Sequence, residues 1–322
     1  MKCDKCRSEA VIQQRYSGMH LCGVHEIADV ERKIKRRMRK ERMAMPGDHI
    51  AVAMSGGKDS AVTLDVLVGT FGKRPDIRFS AITIDEGIEG YRNNSIPYAK
   101  ELCDSLGIPH YVVSFKDEIG HTLDDILSRE RAEASCTYCG VFRRTLLNRK
   151  AREIGANKLA TGHNLDDEAQ AVMLNVMNGD TERLARLRPT RAQEGLIPRI
   201  KPLIDIPERE IALYAFLKKI PFYMGECPYT SESFRGEIKD MLNDFEYRHP
   251  GTKYSILSGF ENMVGCLREK YPQVPLSKCR TCGEPGIQQT CQACKLKKRV
   301  KIDEPIATLI KTEPAVRRKQ RQ

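Results

Sequence analysis

The stretch Ser55-Gly56-Gly57-Lys58-Asp59-Ser60 sets paired glycines, a lysine and an aspartate between two hydroxyls, where the apolar run His49–Met54 gives way to a helical-looking run. Glycines admit positive φ and close approach of the backbone, and successive N–H groups in such a turn make a concave anion nest. The following helix start adds the positive end of its dipole. Lys58 and the serine hydroxyls supply further donors, so the turn reads as a phosphate cradle. It is not the GxxxxGK[ST] pattern, because Lys58 is followed by Asp59 and the first glycine is missing. Asp59 is suited to holding Mg2+ on a bound triphosphate or to orienting the reacting group. A plain glycine turn with two exposed charges is the bland alternative, and the strand–turn–helix context argues against it.

Twelve cysteines form the second set of reactive groups, and eight of them fall in CxxC pairs. Cys3, Cys6, Cys22 and His25 have the spacing C-x2-C-x15-C-x2-H; Cys279, Cys282, Cys291 and Cys294 have C-x2-C-x8-C-x2-C. Each set offers four soft ligands in two close pairs, as a closed structural zinc site requires. His20 is a second candidate for the first set, but the CxxH spacing favours His25. Cys136 and Cys139 stand just before a basic helix, and Cys227 lies far downstream in "GECPY". Three thiolates converging on one metal leave a coordination position open, which suits zinc or an iron–sulfur cluster. A persulfide carrier, or a CxxC with no ligand at all, are the other readings. Cys103 and Cys266 lie in helical patterns and are expected to be buried as small hydrophobes.

These groups need elements to position them. His49–Met54, Ile77–Asp85, His110–Phe115 and Lys158–Gly162 read as strands. Ser60–Thr70, Ser95–Gly107 (with Pro97 in its first turn), Val141–Gly155, Leu165–Met177 and Pro207–Lys219 read as helices. Alternation of this kind predicts an α/β fold with a parallel sheet covered on both faces. Its ligands belong beyond the carboxyl ends of the strands, where "SGGKDS", "DEG" (Asp85–Gly87) and "GHNLDDE" (Gly162–Glu168) all fall. The expected divisions are 1–26, an N-terminal zinc finger; 27–47, a basic linker helix; 48–230, the catalytic domain; 231–275, a helical extension; and 276–322, a C-terminal zinc finger with a basic tail.

Lys and Arg number 54 against 43 Asp and Glu, a formal charge of +11. The excess is concentrated in Glu31–Met43 and in the C-terminal tail, which suits a polyanion because neutralised phosphates release counterions. The basic helix would thus meet RNA phosphates without reading sequence. A solvated helix face is the alternative. No apolar run is long enough for a membrane span, and the first residues lack the apolar stretch of a secretory signal, so a cytoplasmic protein without membrane partners is expected.

"SGGKDS" resembles the PP-loop of the ATP pyrophosphatase superfamily, whose members cleave ATP between its α- and β-phosphates. The resemblance implies that Ala53, Met54, Ser55, Gly56, Gly57, Lys58, Asp59 and Ser60 contact ATP, with Ile84 near the adenine. "TGHNLDDEAQ" resembles the second nucleotide-site motif, which adds Gly162 and Asp167; His163 is taken as a structural hydrogen-bonding residue. PP-loop, CxxC and downstream Cys together resemble the TtcA/TtuA family of tRNA 2-thiolation enzymes, nearest its TtuA and archaeal NcsA-like branch with a zinc finger at each end.

That likeness implies a Rossmann-like sheet of PP-loop/HUP type and an oxygen-sensitive [4Fe-4S] cluster on Cys136, Cys139 and Cys227, whose open iron holds hydrosulfide. ATP, Mg2+ and two Zn2+ complete the cofactors. The implied chemistry is transfer of AMP to the uracil C2 oxygen, attack of sulfide at C2 and loss of AMP. Lys58 and Asp59 are the implied catalytic groups, together with Arg143, which stands where some relatives have a catalytic lysine. Arginine stays charged, so Arg143 suits oxyanion stabilisation or a phosphate clamp better than proton transfer. The implied target is the wobble uridine at position 34, with ribothymidine 54 as alternative. The implied partners are tRNA, a sulfur donor (free sulfide or a ubiquitin-like thiocarboxylate carrier) and a second copy in a homodimer. A ligase or amidotransferase with a nitrogen nucleophile, or a non-catalytic zinc RNA-binding protein, are the rival classes.

Overall fold

Short apolar pairs separated by a turn at Gly18, whose φ is +74°, open the chain as a hairpin of β1 (Ile12–Gln14) and β2 (Met19–Leu21). The computed structural model describes residues 1–129, 135–188, 193–229 and 234–300; the basic tail lies outside the described residues. Helix α1 (Gly23–Lys40) follows at once. It begins before the expected start at residue 27, so its first turn carries His25 into the N-terminal cysteine set. Val30, Ile34 and Met38 recur at i, i+4 and enter the core. Lys33 and Arg37 lie on the same side and are buried, which limits any contact of this basic helix with RNA phosphates to its exposed side. Arg37 pairs with Glu41, Asp205 and Glu261; Arg36 and Arg39 face solvent.

The α/β unit runs β3 (His49–Ala53), α2 (Lys58–Phe71), β4 (Arg78–Asp85), α3 (Arg92–Leu106), β5 (His110–Ser114), α4 (Phe115–Ile119), α5 (Leu123–Arg129), α6 (Ser135–Glu153), β6 (Lys158–Ala160), α7 (Leu165–Met177), α8 (Thr181–Ala185), β7 (Arg199–Ile200) and α9 (Glu208–Leu217). The five strands form one all-parallel sheet in the order β5-β4-β3-β6-β7, the Rossmann-like arrangement expected. β7 has no counterpart among the expected strands. It is two residues long, on the edge and flanked by Pro198 and Pro202, where periodicity carries no signal.

Alternate residues of the central strands serve opposite faces. Ile50 and Val52 join Leu64, Leu67 and Tyr214 on the side of α1, α2 and α9. Ala51, Ile82 and Ile84 join Phe115, Tyr138 and Phe142 on the side of α4, α5 and α6. Beyond the sheet come α10 (Phe234–Arg248), α11 (Thr252–Lys270), the β8–β9 hairpin (Ser277–Lys278 and Pro285–Gly286) and α12 (Gln292–Arg299). The C-terminal cysteines and Leu296 share the apolar cluster of α6, so this C-terminal segment is packed onto the sheet domain.

Three local expectations change. Pro97 sits inside α3 because the helix starts at Arg92, which is drawn in by an ion pair with Glu86. Cys136 and Cys139 lie within α6, not before it. Cys103 is fully buried, its thiol pushed up to about 12 by burial, but Cys266 is exposed on α11. Among the described residues no helix is long and apolar enough to cross a membrane.

Candidate active site

β3 lies between β4 and β6, so the loops that leave their carboxyl ends diverge and open a crevice there. The loop after β3 is the glycine turn. Gly56 has φ +83°, and a Cβ on it would overlap the Ser95 carbonyl, so only glycine fits. The Ser60 hydroxyl accepts from the Ser55 N–H (3.1 Å) and donates to the Gly57 carbonyl (2.9 Å). These bonds curl the turn onto the start of α2, whose cap, Gly57, makes no side-chain cap bond. The first-turn N–H groups are thereby left for a ligand. Met54 and Ile84 are buried, so what Ile84 can offer a nucleotide is its main chain.

Lys58 Nζ lies 3.1 Å from Asp59 Oδ2 and 2.8 Å from Glu208 Oε1 at the start of α9. Burial opposes the charge on Lys58, and the two carboxylates overrule it, raising its pKa. Burial raises the Asp59 pKa against the pull of Lys58 and of a hydrogen bond from Asn164 Nδ2 (3.0 Å). Asn164 caps α7 in a capping box with Asp167. Asp167 therefore spends one carboxylate oxygen on the Asn164 N–H and the other on Arg235 (3.2 Å). A Cβ on Gly162 would lie 2.8 Å from the Asp59 carbonyl carbon, so the loop after β6 rests directly on the start of α2. His163 bonds the Thr161 hydroxyl (2.8 Å), in keeping with a structural role.

The central thiols lie beside this turn. Cys136, Cys139 and Arg143 follow i, i+3, i+7 spacing along α6 and share one side of it. Cys139 Sγ is 3.9 Å from Glu86 Oε1. Glu86, fully buried in the loop after β4, is gripped by Arg92 through Nε and through Nη2 (2.9 Å), and Arg143 Nη1 stands 3.7 Å away. Arg92 in turn donates from Nη1 to the Ser55 carbonyl (2.8 Å). A chain of contacts thus runs from Cys139 through Glu86 and Arg92 to the glycine turn. Cys227 reaches the same place from the loop after α9, which is pinned by the Tyr223 N–H on the Gly56 carbonyl (2.8 Å) and by the Tyr229 hydroxyl on Asp124 (2.7 Å). Burial pushes the Cys139 thiol up to about 11; Arg143 pulls it down and Glu86 adds to the rise. Burial also raises Cys227, and Cys136 and Glu86 act on it in the same direction.

The terminal sets are tighter. In each, all four ligand atoms lie within 4.8 Å of one another. Cys6 Sγ and Cys22 Sγ are 3.7 Å apart, and His25 Nδ1 is 3.4 Å from Cys3 Sγ and 3.2 Å from Cys22 Sγ. Cys282 Sγ and Cys291 Sγ are 3.5 Å apart. A tetrahedron with Zn–S bonds of ~2.3 Å has edges of about 3.8 Å, so both sets fit zinc. His20 is instead engaged with Asp4. Among the described residues only these two sets meet that spacing. The central thiols interact electrostatically but sit wider, which suits a polynuclear cluster better than a single zinc.

Sequence reasoning missed Glu86, Arg92, Asn164 and Glu208. Asn164 was legible as an N-cap three residues before an acid. Glu86 and Arg92 were not, because a buried ion pair has no spacing rule.

A family model of the PP-loop domain matches residues 27–244, and one of the N-terminal LIM domain of 2-thiouridine synthetase TtuA matches residues 2–25. The chain is 43% identical over 315 residues to the tRNA 2-thiolation protein NcsA of Haloferax volcanii, covering 92% of this chain and 98% of that one. It is 34% identical to the tRNA-5-methyluridine(54) 2-sulfurtransferase of Pyrococcus horikoshii, covering 93% and 96%. The solved structure of the U34-tRNA thiolase NcsA from Methanococcus maripaludis, with its [4Fe-4S] cluster, superposes with a TM-score of 0.80 at 36% identity, covering 93% and 96%.

Proposed function

Because this chain belongs to the TtcA/TtuA-type family of tRNA 2-thiolation proteins, we propose that it is an ATP-dependent tRNA 2-thiouridine synthetase acting at the wobble uridine, position 34. The observation that carries the reading is the contact chain from Cys139 through Glu86 and Arg92 to the Ser55 carbonyl. This contact chain supports a reading in which the thiol site and the phosphate cradle serve one reaction centre. The high identity to NcsA proteins and the superposition on a U34 thiolase favour position 34 over 54.

The glycine-turn N–H groups and Lys58 bind the ATP phosphates and stabilise the charge that moves onto pyrophosphate as AMP is transferred to the uracil C2 oxygen. Asp59, partly exposed beside Lys58, would hold Mg2+ on those phosphates. Sulfide then adds at C2 and AMP leaves. Cys136, Cys139 and Cys227 would hold a [4Fe-4S] cluster, which when bound would supply a place for the sulfur. Arg143, fixed by Glu86 yet half-exposed, faces the same region and steadies the anionic adduct. The terminal sets hold structural Zn2+. Free sulfide or a thiocarboxylate carrier supplies sulfur, and the working unit is a cytoplasmic homodimer.

Mass spectrometry of tRNA nucleosides from a deletion strain tests the assignment. Loss of 2-thiouridine at position 34 is expected; intact 2-thiolation at both positions refutes it, and loss confined to position 54 moves the target. Iron and sulfide on anaerobically purified protein separate thiolation from a nitrogen-nucleophile ligase.

A further inference from the structure

The sequence pointed to α1 as the RNA-facing surface, yet part of its charge is spent inside the protein. A second concentration of positive charge is assembled by the fold from residues that are scattered in sequence. A cleft of 830 Å3 opens between α6, the β7 edge of the sheet and the C-terminal finger. Arg144, Arg186, Arg188, Arg199 and Lys201 line it. Its lining carboxylate, Glu284, is buried and already held by Arg149 and Arg152. Arg186, Arg188 and Lys201 have carboxylate partners in Glu182, Glu261 and Glu168.

Arg144 and Arg199 differ from these. Neither has a carboxylate partner among the described residues. The charges that act on Arg199 are Arg144 and Arg143; those that act on Arg144 are Arg143 and Arg183, with Cys139 opposing them. Burial and the neighbouring guanidiniums of Arg144 and Arg143 push Arg199 down to about 10; Arg144, exposed to solvent, is lowered by partial desolvation and by Arg143 and Arg183. Guanidiniums crowded together without a counter-anion are costly unless a ligand supplies the negative charge.

Position narrows the ligand. The glycine turn contributes nothing to the cleft lining, so it is not the ATP phosphate site. His163, adjacent to Gly162, forms part of it, and one wall is Val141–Asn148 of α6, immediately after Cys139 and Arg143. Exposed Ile287 and Leu196 offer apolar surface beside the cations. Fixed cations beside apolar surface suit an RNA strand, whose phosphates meet the guanidiniums while its sugar and base faces lie against the aliphatic side chains.

We propose that this cleft holds the RNA strand on the approach to the target uridine, with Arg144 and Arg199 each clamping a backbone phosphate. This rests on the thiolase reading and adds the surface by which the strand enters. The two arginines are substrate-positioning residues.

The test is tRNA binding against salt, using full-length metal-loaded protein and an unmodified tRNA transcript. R144A/R199A is compared with wild type, with R144K/R199K and with R36A/R39A on exposed α1. Each lost phosphate contact flattens the log Kd–log salt slope by about 0.7 to 0.9 and weakens binding roughly tenfold. The double alanine variant is expected to flatten the slope by about 1.4 to 1.8, the lysine variant to recover most of it, and binding of a fluorescent ATP analogue to stay unchanged. An unchanged slope in R144A/R199A overturns the proposal, as does a loss confined to R36A/R39A. Lost ATP binding in R144A/R199A also overturns it, by assigning the arginines to nucleotide. A wild-type protein that neither binds tRNA nor forms 2-thiouridine brings down the thiolase reading as well; a wild type that does both while the variant matches it brings down only the cleft.

Discussion

Glu86→Gln is the perturbation that bears most directly on the site. The carboxylate is fully buried and its main partner, Arg92, is 4% exposed. Deleting one member of such a pair leaves the other charge buried without compensation, at a cost of ~3–5 kcal/mol. Arg143 is 46% exposed, so its loss of Glu86 adds little. The expected destabilisation is about 3 kcal/mol. With a urea dependence of ~3 kcal/mol per molar, the unfolding midpoint falls by about 1 M. Arg92→Met costs a similar amount and also strips a donor from the Ser55 carbonyl, so it raises the KM for ATP more than Glu86→Gln does. In the double variant no orphan charge remains, and its cost falls short of the sum by about 2 kcal/mol or more. Urea unfolding followed by far-UV circular dichroism, under reductant with zinc loaded, reads all four proteins. A midpoint shift under about 0.2 M for Glu86→Gln, or additivity within about 0.5 kcal/mol, would refute the coupling of thiol site to nucleotide turn.

Gly162→Ala forces the loop after β6 off the start of α2, and kcat/KM for ATP in pyrophosphate release falls on the order of tenfold or more; an unchanged value contradicts the contact. Cys282→Ser lowers bound zinc from two equivalents to about one by elemental analysis and loosens the finger packed on α6; retention of both equivalents counts against the C-terminal site. Cys227→Ala removes iron and the visible chromophore after anaerobic reconstitution while both zincs stay; full iron retention rules out the three-thiol ligand set. Burial pushes Asp29 up, but hydrogen bonds from Lys33, Gln14 and Arg32 overrule it and hold the carboxyl near 2, below its ordinary 3.8. The sign follows: this stabilisation, about 2 kcal/mol, is complete above pH 3.8 and is lost as pH falls through 2. Asp29→Asn lacks that acid-limb loss, and parallel stability profiles for variant and wild type across the window would disprove it.

The glycine turn was legible because its chemistry is local: a strand, paired glycines, Lys58 and Asp59 are contiguous. The terminal four-ligand sets were legible because tetrahedral ligation imposes a spacing rule, and His25 was separated from His20 by that rule alone. Leu165–Met177 was readable to the residue, and its cap Asn164, three residues before Asp167, could have been read with it. What escaped is what only tertiary contact creates. Glu86 and Arg92 look like ordinary surface charges until β4 and α3 bury them together. The basic run of α1 looked uniform because counting charges does not say which side faces the core. β7 was too short to show a period, and Cys266 has helical neighbours but faces away from the core.

The three central sulfurs also impose an order on biosynthesis. Four of the five sheet strands, and the CxxC pair of α6, precede residue 161, whereas the third thiol arrives only at Cys227, after β7 and α9. A nascent polypeptide halted between those points displays two adjacent thiols with no third, a chelate open to any thiophilic ion at hand. With Cys136, Cys139 and Cys227 as the proposed cluster ligands, loading of iron and sulfide would be a late event in the life of the chain.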